Sequence, residues 1–120
     1  NDTKDFMKYA EGMCLSSDME GMPITIIEAF SVGCVPLCTP VGGCCDMIVH
    51  GVNGMLAEDM SNLAYYRMLK KYLAMTDEER AQMKENSKQS FERYNIVTVA
   101  DRYLNLFNKY EHLDFKDKRI

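Results

Sequence analysis

The sequence predicts an α/β fold built on a small parallel sheet. Three short apolar segments, at residues 13–16, 35–38 and 55–57, have the length of buried strands, and helical patterns separate them. Strands that alternate with helices are typical of a parallel sheet with helices packed on its faces. Because the alternation gives only about three strands, whose outer edges are open to pairing, we expect a partial Rossmann-like sheet.

Start and stop signals predict the helices of the first half. A short helix is expected over residues 3–10. Pro23 suits the first position of a second helix, because its missing N–H does no harm there, and Gly33 suits the end of that helix. Residues 40–43 are predicted to form a loop, and residues 44–50 a short helix.

Residues 62–120 are predicted to be mostly helical. Ser61 can cap one helix, and residues 76–79 have the form of a capping box at the start of a charged helix that ends near Tyr94. A final helix is expected over residues 97–112. The apolar face of the helix after Ser61 includes Leu63, Tyr66, Leu69 and Leu73. Those expected together on one face of the final helix are Ala100, Tyr103, Phe107 and Tyr110.

Composition and charge exclude several classes of protein. The formal net charge of −4 argues against a nucleic-acid partner, since phosphate binding relies on clustered Lys and Arg. Residues 116–119 lean basic, and we interpret them as a solvated tail. No apolar run approaches the roughly 20 residues that a membrane-spanning helix needs.

The five cysteines are odd in number and form no regular disulfide framework. Their neighbours are apolar, and the two histidines, His50 and His112, lie far apart, which argues against a zinc site. We therefore expect small buried side chains in a reducing compartment, the cytoplasm. The cysteines are Cys14, Cys34, Cys38, Cys44 and Cys45.

The chemistry is expected beyond the carboxyl ends of the strands, where parallel α/β sheets bind their ligands. Three loops have that position, at residues 17–22, 40–43 and 58–61. Gly42 and Gly43 allow the backbone of the second loop to approach a ligand closely, although a plain tight turn explains them equally well.

The first of these loops leads into a predicted anion site. The helix that starts at Pro23 has free amides in its first turn, at Ile24 and Thr25, and the residue before it cannot cap them. Such amides, with the positive end of the helix dipole, form a site for phosphate. The alternative is that Asp18 or Glu20 folds back and caps the amides.

Two glutamates flank the start of this helix. Glu20 lies in the loop and Glu28 lies about a turn and a half into the helix, so they can face one pocket from two sides. Carboxylates accept hydrogen bonds from sugar hydroxyls. A solvated helix position ordinarily explains a glutamate such as Glu28, but its neighbours Ile27 and Ala29 are apolar, which favours a specific role.

A specific order of motifs surrounds the glutamates. Two glutamates separated by seven residues are common by chance, but here Glu-Gly-x-Pro lies between them, and a Gly-Gly loop and Gly-Val-Asn-Gly follow. This order resembles the group 1 glycosyltransferases, glycosyltransferase family four, which have the two-domain GT-B fold. The resemblance is strong over residues 10–57 and includes Leu15 to Ala29, Gly33, Pro36, Thr39, Val41 to Gly43, Ile48 and Gly51 to Gly54.

The resemblance implies a role for each matched residue. Glu20, the candidate catalytic residue, contacts the donor sugar's hydroxyls near the reacting carbon. Glu28 holds the ribose hydroxyls, and the backbone after Glu20 presents amides to the diphosphate. The substrate-binding candidates are Gly21, Met22, Pro23, Ile24, Thr25, Glu28, Gly42 and Gly43.

The reaction that the resemblance implies moves a sugar from a nucleoside-diphosphate sugar to an acceptor, with retained anomeric configuration. It needs no metal and no cofactor besides the donor, because amides and basic side chains stabilise the leaving diphosphate. The donor base stays open, and a saccharide, a lipid carrier and a small molecule are equal candidates for the acceptor. The alternatives are a related epimerase or phosphorylase with the same nucleotide site, and a non-catalytic sugar-nucleotide-binding or interaction module.

The resemblance also implies that residues 1–120 form the C-terminal part of the donor-binding domain. In the family, further strands and an acceptor domain precede this part and carry the basic pair that grips the diphosphate. No Lys or Arg between Tyr9 and Arg67 can replace that pair. We therefore expect this chain alone to be inactive and its final helix, without a partner, to favour a homodimer. The whole enzyme is expected in the cytoplasm, with the inner face of the membrane as an alternative.

Overall fold

A computed structural model describes residues 3–110. His112, the basic-leaning stretch at residues 116–119 and the end of the predicted final helix lie outside the described residues.

The sheet has three parallel strands in the order β1-β2-β3, namely β1 (Gly12–Leu15), β2 (Val35–Cys38) and β3 (Met55–Leu56). In the register of the sheet, Gly12 lies opposite Val35 and Leu37 lies opposite Met55. The predicted α/β fold with a partial parallel sheet is confirmed. The strands begin and end within one residue of the predicted segments.

Six α-helices pack around or extend from this sheet within residues 3–110. They are α1 (Thr3–Met7), α2 (Ile24–Val32), α3 (Gly42–Met47), α4 (Asn62–Leu73), α5 (Asp77–Ser90) and α6 (Ile96–Tyr110), with a short 3₁₀ helix, Phe91–Arg93, after α5. Beyond β3, the described chain has helices and turns and no further strand.

The predicted helix signals act as caps in the structure. The Ser61 hydroxyl accepts a hydrogen bond from the amide of Ala64, and Thr76 and Glu79 form a complete capping box at the start of α5. Gly33 ends α2 in the left-handed conformation, with φ 73°, which a residue without a Cβ adopts at no steric cost. These local predictions are confirmed.

The ends of α1 and α3 differ from the prediction. The regular part of α1 ends at Met7, three residues early, because the amide of Tyr9 donates to the carbonyl of Phe6 in a tighter turn. The predicted loop at residues 40–43 is wrong at its end, since α3 already begins at Gly42, and Ile48 follows that helix in an extended conformation.

The core lies on both faces of β2, whose four residues are all buried. Side chains of a strand alternate between faces, so one set packs under α4 and α5 and the other under α2 and α3. The first buried set is Val35, Leu37, Met55, Ala57, Ala64, Met68, Tyr72 and Met83. The second is Ile26, Phe30, Cys38, Cys44, Met47 and Ile48.

The buried face of α4 differs from the apolar face that the sequence indicated for this helix. Ala64, Met68 and Tyr72 are buried at a spacing of four residues and pack against the sheet. Of the four residues predicted for this face, only Leu69 packs partly against the core. Leu63, Tyr66 and Leu73 are more than half exposed. The helix has two apolar stripes, and the stripe with Ala64, Met68 and Tyr72 contacts β2 and β3. In this orientation the Tyr72 hydroxyl donates a hydrogen bond to the carbonyl of Glu11.

The final helix, α6, buries none of its residues. Its apolar residues lie within one half of the helix circumference, in agreement with the predicted face, and Tyr103, Phe107 and Tyr110 on that half are all exposed. No helix in the part of the chain that is described has the length and apolar character that a membrane span requires.

Candidate functional site

The three loops predicted to hold the chemistry meet at one edge of the sheet. Because β1, β2 and β3 are parallel, their carboxyl ends share this edge. The loop after β1, residues 16–22, is fixed to the end of β2, since the amide of Thr39 donates to the carbonyl of Leu15 at 3.1 Å. The Thr39 hydroxyl donates to the carbonyl of Ser17 at 2.6 Å.

The start of α2 carries free amides, as predicted, with its boundary shifted by one residue. Pro23 is the N-cap rather than the first helical residue, and no side chain caps the helix. Ile24 and Thr25 are exposed in the first turn. Proline has no N–H and no polar side chain, so it leaves the amides of the first turn without a side-chain cap. This start of a nine-residue helix therefore presents the positive end of its dipole to the loop.

The structure resolves the two alternatives for the acidic residues of the loop. Neither Asp18 nor Glu20 caps α2. Instead, the Glu20 carboxylate accepts a hydrogen bond from the Ser17 hydroxyl, with 2.6 Å between Oγ and Oε1. The sequence analysis did not identify Ser17 as a site residue. Its spacing of three residues from Glu20 is the feature that could have identified it, because polar side chains at such short spacings often form local hydrogen bonds.

The two glutamates lie on either side of the start of α2. Glu20 and Glu28 are both half-buried, which contrasts with the exposed acidic residues of the loop after β3. Within residues 3–110, neither glutamate forms an ion pair. Two carboxylates that are partly desolvated and free of cationic partners are suited to accept hydrogen bonds from a polar ligand.

Gly42 and Gly43 bring the start of α3 against residues 16–22, the loop after β1 that carries Glu20 and is called the glutamate loop below. A Cβ on Gly42 overlaps the carbonyl oxygen of Glu20, and a Cβ on Gly43 overlaps that of Gly21. Gly42 has φ 39°, and the amide of Gly43 donates to the Glu20 carbonyl at 3.4 Å. The close approach that the two glycines allow is therefore an approach to the loop. It leaves no room for any larger residue at either position.

No basic side chain comes from the three loops, because residues 16–22, 39–41 and 57–61 contain neither Lys nor Arg. The favourable field for an anion in this part of the chain comes from the uncapped amides of α2 and the helix dipole. Among residues 3–110, no group of His, Cys, Asp and Glu side chains is arranged to hold a metal ion.

Burial affects the ionisation of two cysteines near the site. Cys38 in β2 and Cys44 in α3 are buried, and burial raises the pKa of both thiols. Burial also raises the pKa of Cys34. The expectation that all five cysteines are buried is wrong for Cys14 in β1 and Cys45 in α3, which are exposed. All five are free thiols.

A comparison with protein families identifies the chain. The model described as "Glycosyl transferases group 1" matches residues 1–90, which include the whole sheet and α1 to α5. The chain belongs to the group 1 glycosyl transferases.

Solved structures support the same fold for this group 1 glycosyl transferase chain. The HepE protein of Anabaena in complex with UDP matches with a TM-score of 0.73 and 20% identity, over 87% of this chain and 29% of that one. HepE with UDP and glucose gives a TM-score of 0.70 at 19% identity, over the same shares of the two chains. HepE with UDP-glucose gives 0.66 at 19% identity, again over 87% and 29%. The chain thus has the fold of part of a GT-B glycosyltransferase and spans 29% of the length of HepE.

No curated protein sequence matches the chain significantly.

Proposed function

We propose that this chain binds the nucleotide-sugar donor in a retaining glycosyltransferase of family four, as the C-terminal part of the donor-binding domain. The observation that carries the proposal is the uncapped start of α2 between two half-buried glutamates that have no cationic partner in the described chain. A diphosphate between a ribose and a sugar needs anion-binding amides with hydrogen-bond acceptors on both sides.

The proposed roles follow from the order of these groups. The amides of Gly21, Met22, Ile24 and Thr25 bind the diphosphate, since no side chain caps the start of α2. Glu28, one turn into the helix, accepts hydrogen bonds from the ribose hydroxyls. Glu20, held in the loop at the opposite side of the amides, accepts hydrogen bonds from the sugar hydroxyls near the reacting carbon. Gly42 and Gly43 act through the loop that they contact.

The proposed transfer needs no metal and no cofactor besides the donor. The leaving diphosphate gains negative charge as the bond to the sugar breaks, and the free amides of α2 with the helix dipole stabilise that charge. We propose that basic side chains on other parts of the natural protein complete this stabilisation, because the loops at this edge of the sheet have none.

Uridine diphosphate sugars are the first donors to test, because HepE, which shares the fold, has been crystallised with UDP and with UDP-glucose. The acceptor is a saccharide, a lipid carrier or a small molecule, and the natural protein binds it through parts that precede this chain. We propose the cytoplasm as the compartment, since five free thiols suit a reducing environment.

The apolar face of α6 is proposed to pack on another part of the natural protein, and in the isolated chain on a second copy. It consists of the exposed residues Ile96, Val97, Tyr103, Leu104, Leu106, Phe107 and Tyr110. A contiguous apolar surface of this kind marks an interaction site.

The proposal is tested by calorimetric titration of the natural protein with uridine, guanosine and adenosine diphosphate sugars. Glu28→Ala removes the acceptor for the ribose and is expected to weaken the binding of the preferred donor by about 10- to 100-fold, the effect of losing hydrogen bonds to a charged group. Glu58→Ala is the matched control, because Glu58 has the same charge at the same edge of the sheet but is exposed.

Saturable binding of one nucleotide, weakened in Glu28→Ala and unchanged in Glu58→Ala, supports the proposal. Absence of binding to every member of the panel, by a folded protein, refutes it and favours a non-catalytic interaction module. Binding without transfer to any acceptor favours a sugar-nucleotide-binding module.

A further inference from the structure

The Ser17 hydroxyl and the Glu20 carboxylate form a short hydrogen bond within the glutamate loop. Ser17 Oγ lies 2.6 Å from Glu20 Oε1, and both residues are half-buried. This distance is typical of a hydroxyl that donates to an ionised carboxylate, a stronger bond than one between neutral groups. The bond therefore restricts the rotation of a side chain that otherwise has several rotamers.

Ser17 is itself fixed to the sheet. Its carbonyl accepts a hydrogen bond of 2.6 Å from the hydroxyl of Thr39, which is 5% exposed and follows β2 directly. The backbone of Glu20 is held separately, since its carbonyl accepts a hydrogen bond from the amide of Gly43. The side chain of Glu20 is thus held through Ser17, which is bonded to Thr39 at the end of β2, and its backbone is held by the start of α3.

The two carboxylate oxygens of Glu20 differ in their hydrogen bonding. Oε1 is bonded to Ser17. Oε2 has no hydrogen-bond partner within residues 3–110 and can accept one from a ligand. An acceptor held in one orientation loses less conformational freedom on binding than a freely rotating one.

We propose that Ser17 is a positioning residue, which orients Glu20 so that Oε2 meets a hydroxyl of the donor sugar. This inference rests on the proposed function, in which Glu20 contacts that sugar. Ser17 acts only through Glu20 and does not touch the diphosphate. Its removal therefore weakens interactions with the sugar and leaves those with the nucleotide unchanged.

The neighbouring residue provides a matched control. Ser16 is exposed and makes no side-chain hydrogen bond in the described structure, so Ser16→Ala makes the same chemical change without freeing Glu20. Ser17→Thr keeps the hydroxyl and tests for rescue. Glu20→Ala, alone and combined with Ser17→Ala, tests whether Ser17 acts through Glu20.

The experiment uses the natural protein and measures the affinity for UDP and for UDP-glucose, or for the nucleotide and sugar nucleotide that bind best in the titration. The values of kcat and KM for transfer are measured with the same variants. In Ser17→Ala, sugar-nucleotide affinity and kcat/KM are expected to fall about 10-fold, the effect of one charge-assisted hydrogen bond. UDP affinity stays at the wild-type value, Ser17→Thr restores most of the loss, and Ser17→Ala has no further effect on binding in the Glu20→Ala protein.

Three results overturn the inference. The first is that Ser17→Ala and Ser16→Ala have the same sugar-nucleotide affinity and kcat/KM, and the second is that Ser17→Ala weakens UDP and sugar-nucleotide binding equally. The third is that Ser17→Ala lowers sugar-nucleotide affinity by the same factor in the Glu20→Ala protein as in the wild type. Failure of the proposed function is distinguishable, because then Glu20→Ala itself leaves sugar-nucleotide binding and transfer unchanged. The binding measurements remain informative when Glu20→Ala is inactive.

Discussion

Replacing Gly43 with alanine tests whether the contact between α3 and the glutamate loop sets the geometry of the site. Gly43 is buried, and a Cβ at this position overlaps the carbonyl oxygen of Gly21 and lies 2.8 Å from Cδ of Pro23. The carbonyl belongs to the loop after β1, and the proline is the N-cap of α2. The conflict is therefore relieved by moving this loop and the start of α3 apart.

The structure gives the size of the effect. Carbon and oxygen atoms that are not bonded normally stay at roughly 3.5 Å, so the loop must move by on the order of 1 Å. Overpacking of this kind costs about 1–3 kcal/mol of stability. A misplacement of about 1 Å in a positioned site can lower the rate about 100-fold. We expect both effects in Gly43→Ala.

The assay compares Gly43→Ala with Gly54→Ala in the natural protein. A Cβ on Gly54 lies 2.8 Å from the Pro36 carbonyl oxygen, so this control is also overpacked, but at the opposite edge of the sheet, before β3. Chemical denaturation measures the free energy of unfolding, and calorimetry and steady-state kinetics measure donor affinity and kcat/KM. Both variants are expected to lose stability, and only Gly43→Ala is expected to lose donor affinity and transfer.

Wild-type donor affinity in a folded Gly43→Ala protein refutes the reasoning, because the loop then tolerates the displacement. Equal loss of affinity in both variants also refutes it, since this attributes the loss to general destabilisation.

Two further predictions concern stability and association. Burial raises the pKa of Cys34 above its ordinary value of 9.0 and that of Tyr72 to about 12, where the nearby Glu11 carboxylate adds to the effect. Above about pH 9, the unfolded chain therefore releases protons that the folded chain keeps. The free energy of unfolding should be constant below about pH 9 and should decrease as the pH rises towards 12. Urea denaturation from pH 8 to pH 11 measures this, with a smaller fall in Tyr72→Phe, and a constant stability contradicts it. In the isolated chain, Phe107→Asp should lower self-association in sedimentation velocity, whereas Asn105→Asp on the polar half of α6 should not. Equal behaviour of these two variants argues against α6 as the contact.

Much of the fold could be predicted because its signals are local. Val35 to Cys38 form a strand with the predicted ends, since an apolar segment of that length between helices has few other structures available. The Ser61 cap and the Thr76 capping box depend on side chains that reach their own backbone within three residues. The free amides at the start of α2 were predicted from the side chain of Met22, which cannot cap them, and capping by Asp18 or Glu20 was left open until the structure showed no side-chain cap.

Other features were decided by residues distant in sequence. The sequence of α4 offers two apolar stripes, and contact with the sheet selects Ala64, Met68 and Tyr72. Cys14 and Cys45 are exposed, and their exposure depends on how the other elements pack on β1 and α3. Hydrophobic periodicity shows that a helix has an apolar face but does not show which of two faces has a partner.

At the candidate site, the sequence by itself determined which residues meet at the edge of the sheet, because parallel strands bring their carboxyl ends together. The tertiary structure alone decided how they are arranged. In the structure, the Glu20 carboxylate is hydrogen-bonded to Ser17 and does not cap α2. Gly42 and Gly43 contact the glutamate loop and do not lie in an open turn. The physical reason is that the hydrogen bond from Thr39 to Ser17 and the packing of α3 on the loop depend on distances between atoms of separate segments, and only the assembled sheet fixes those distances.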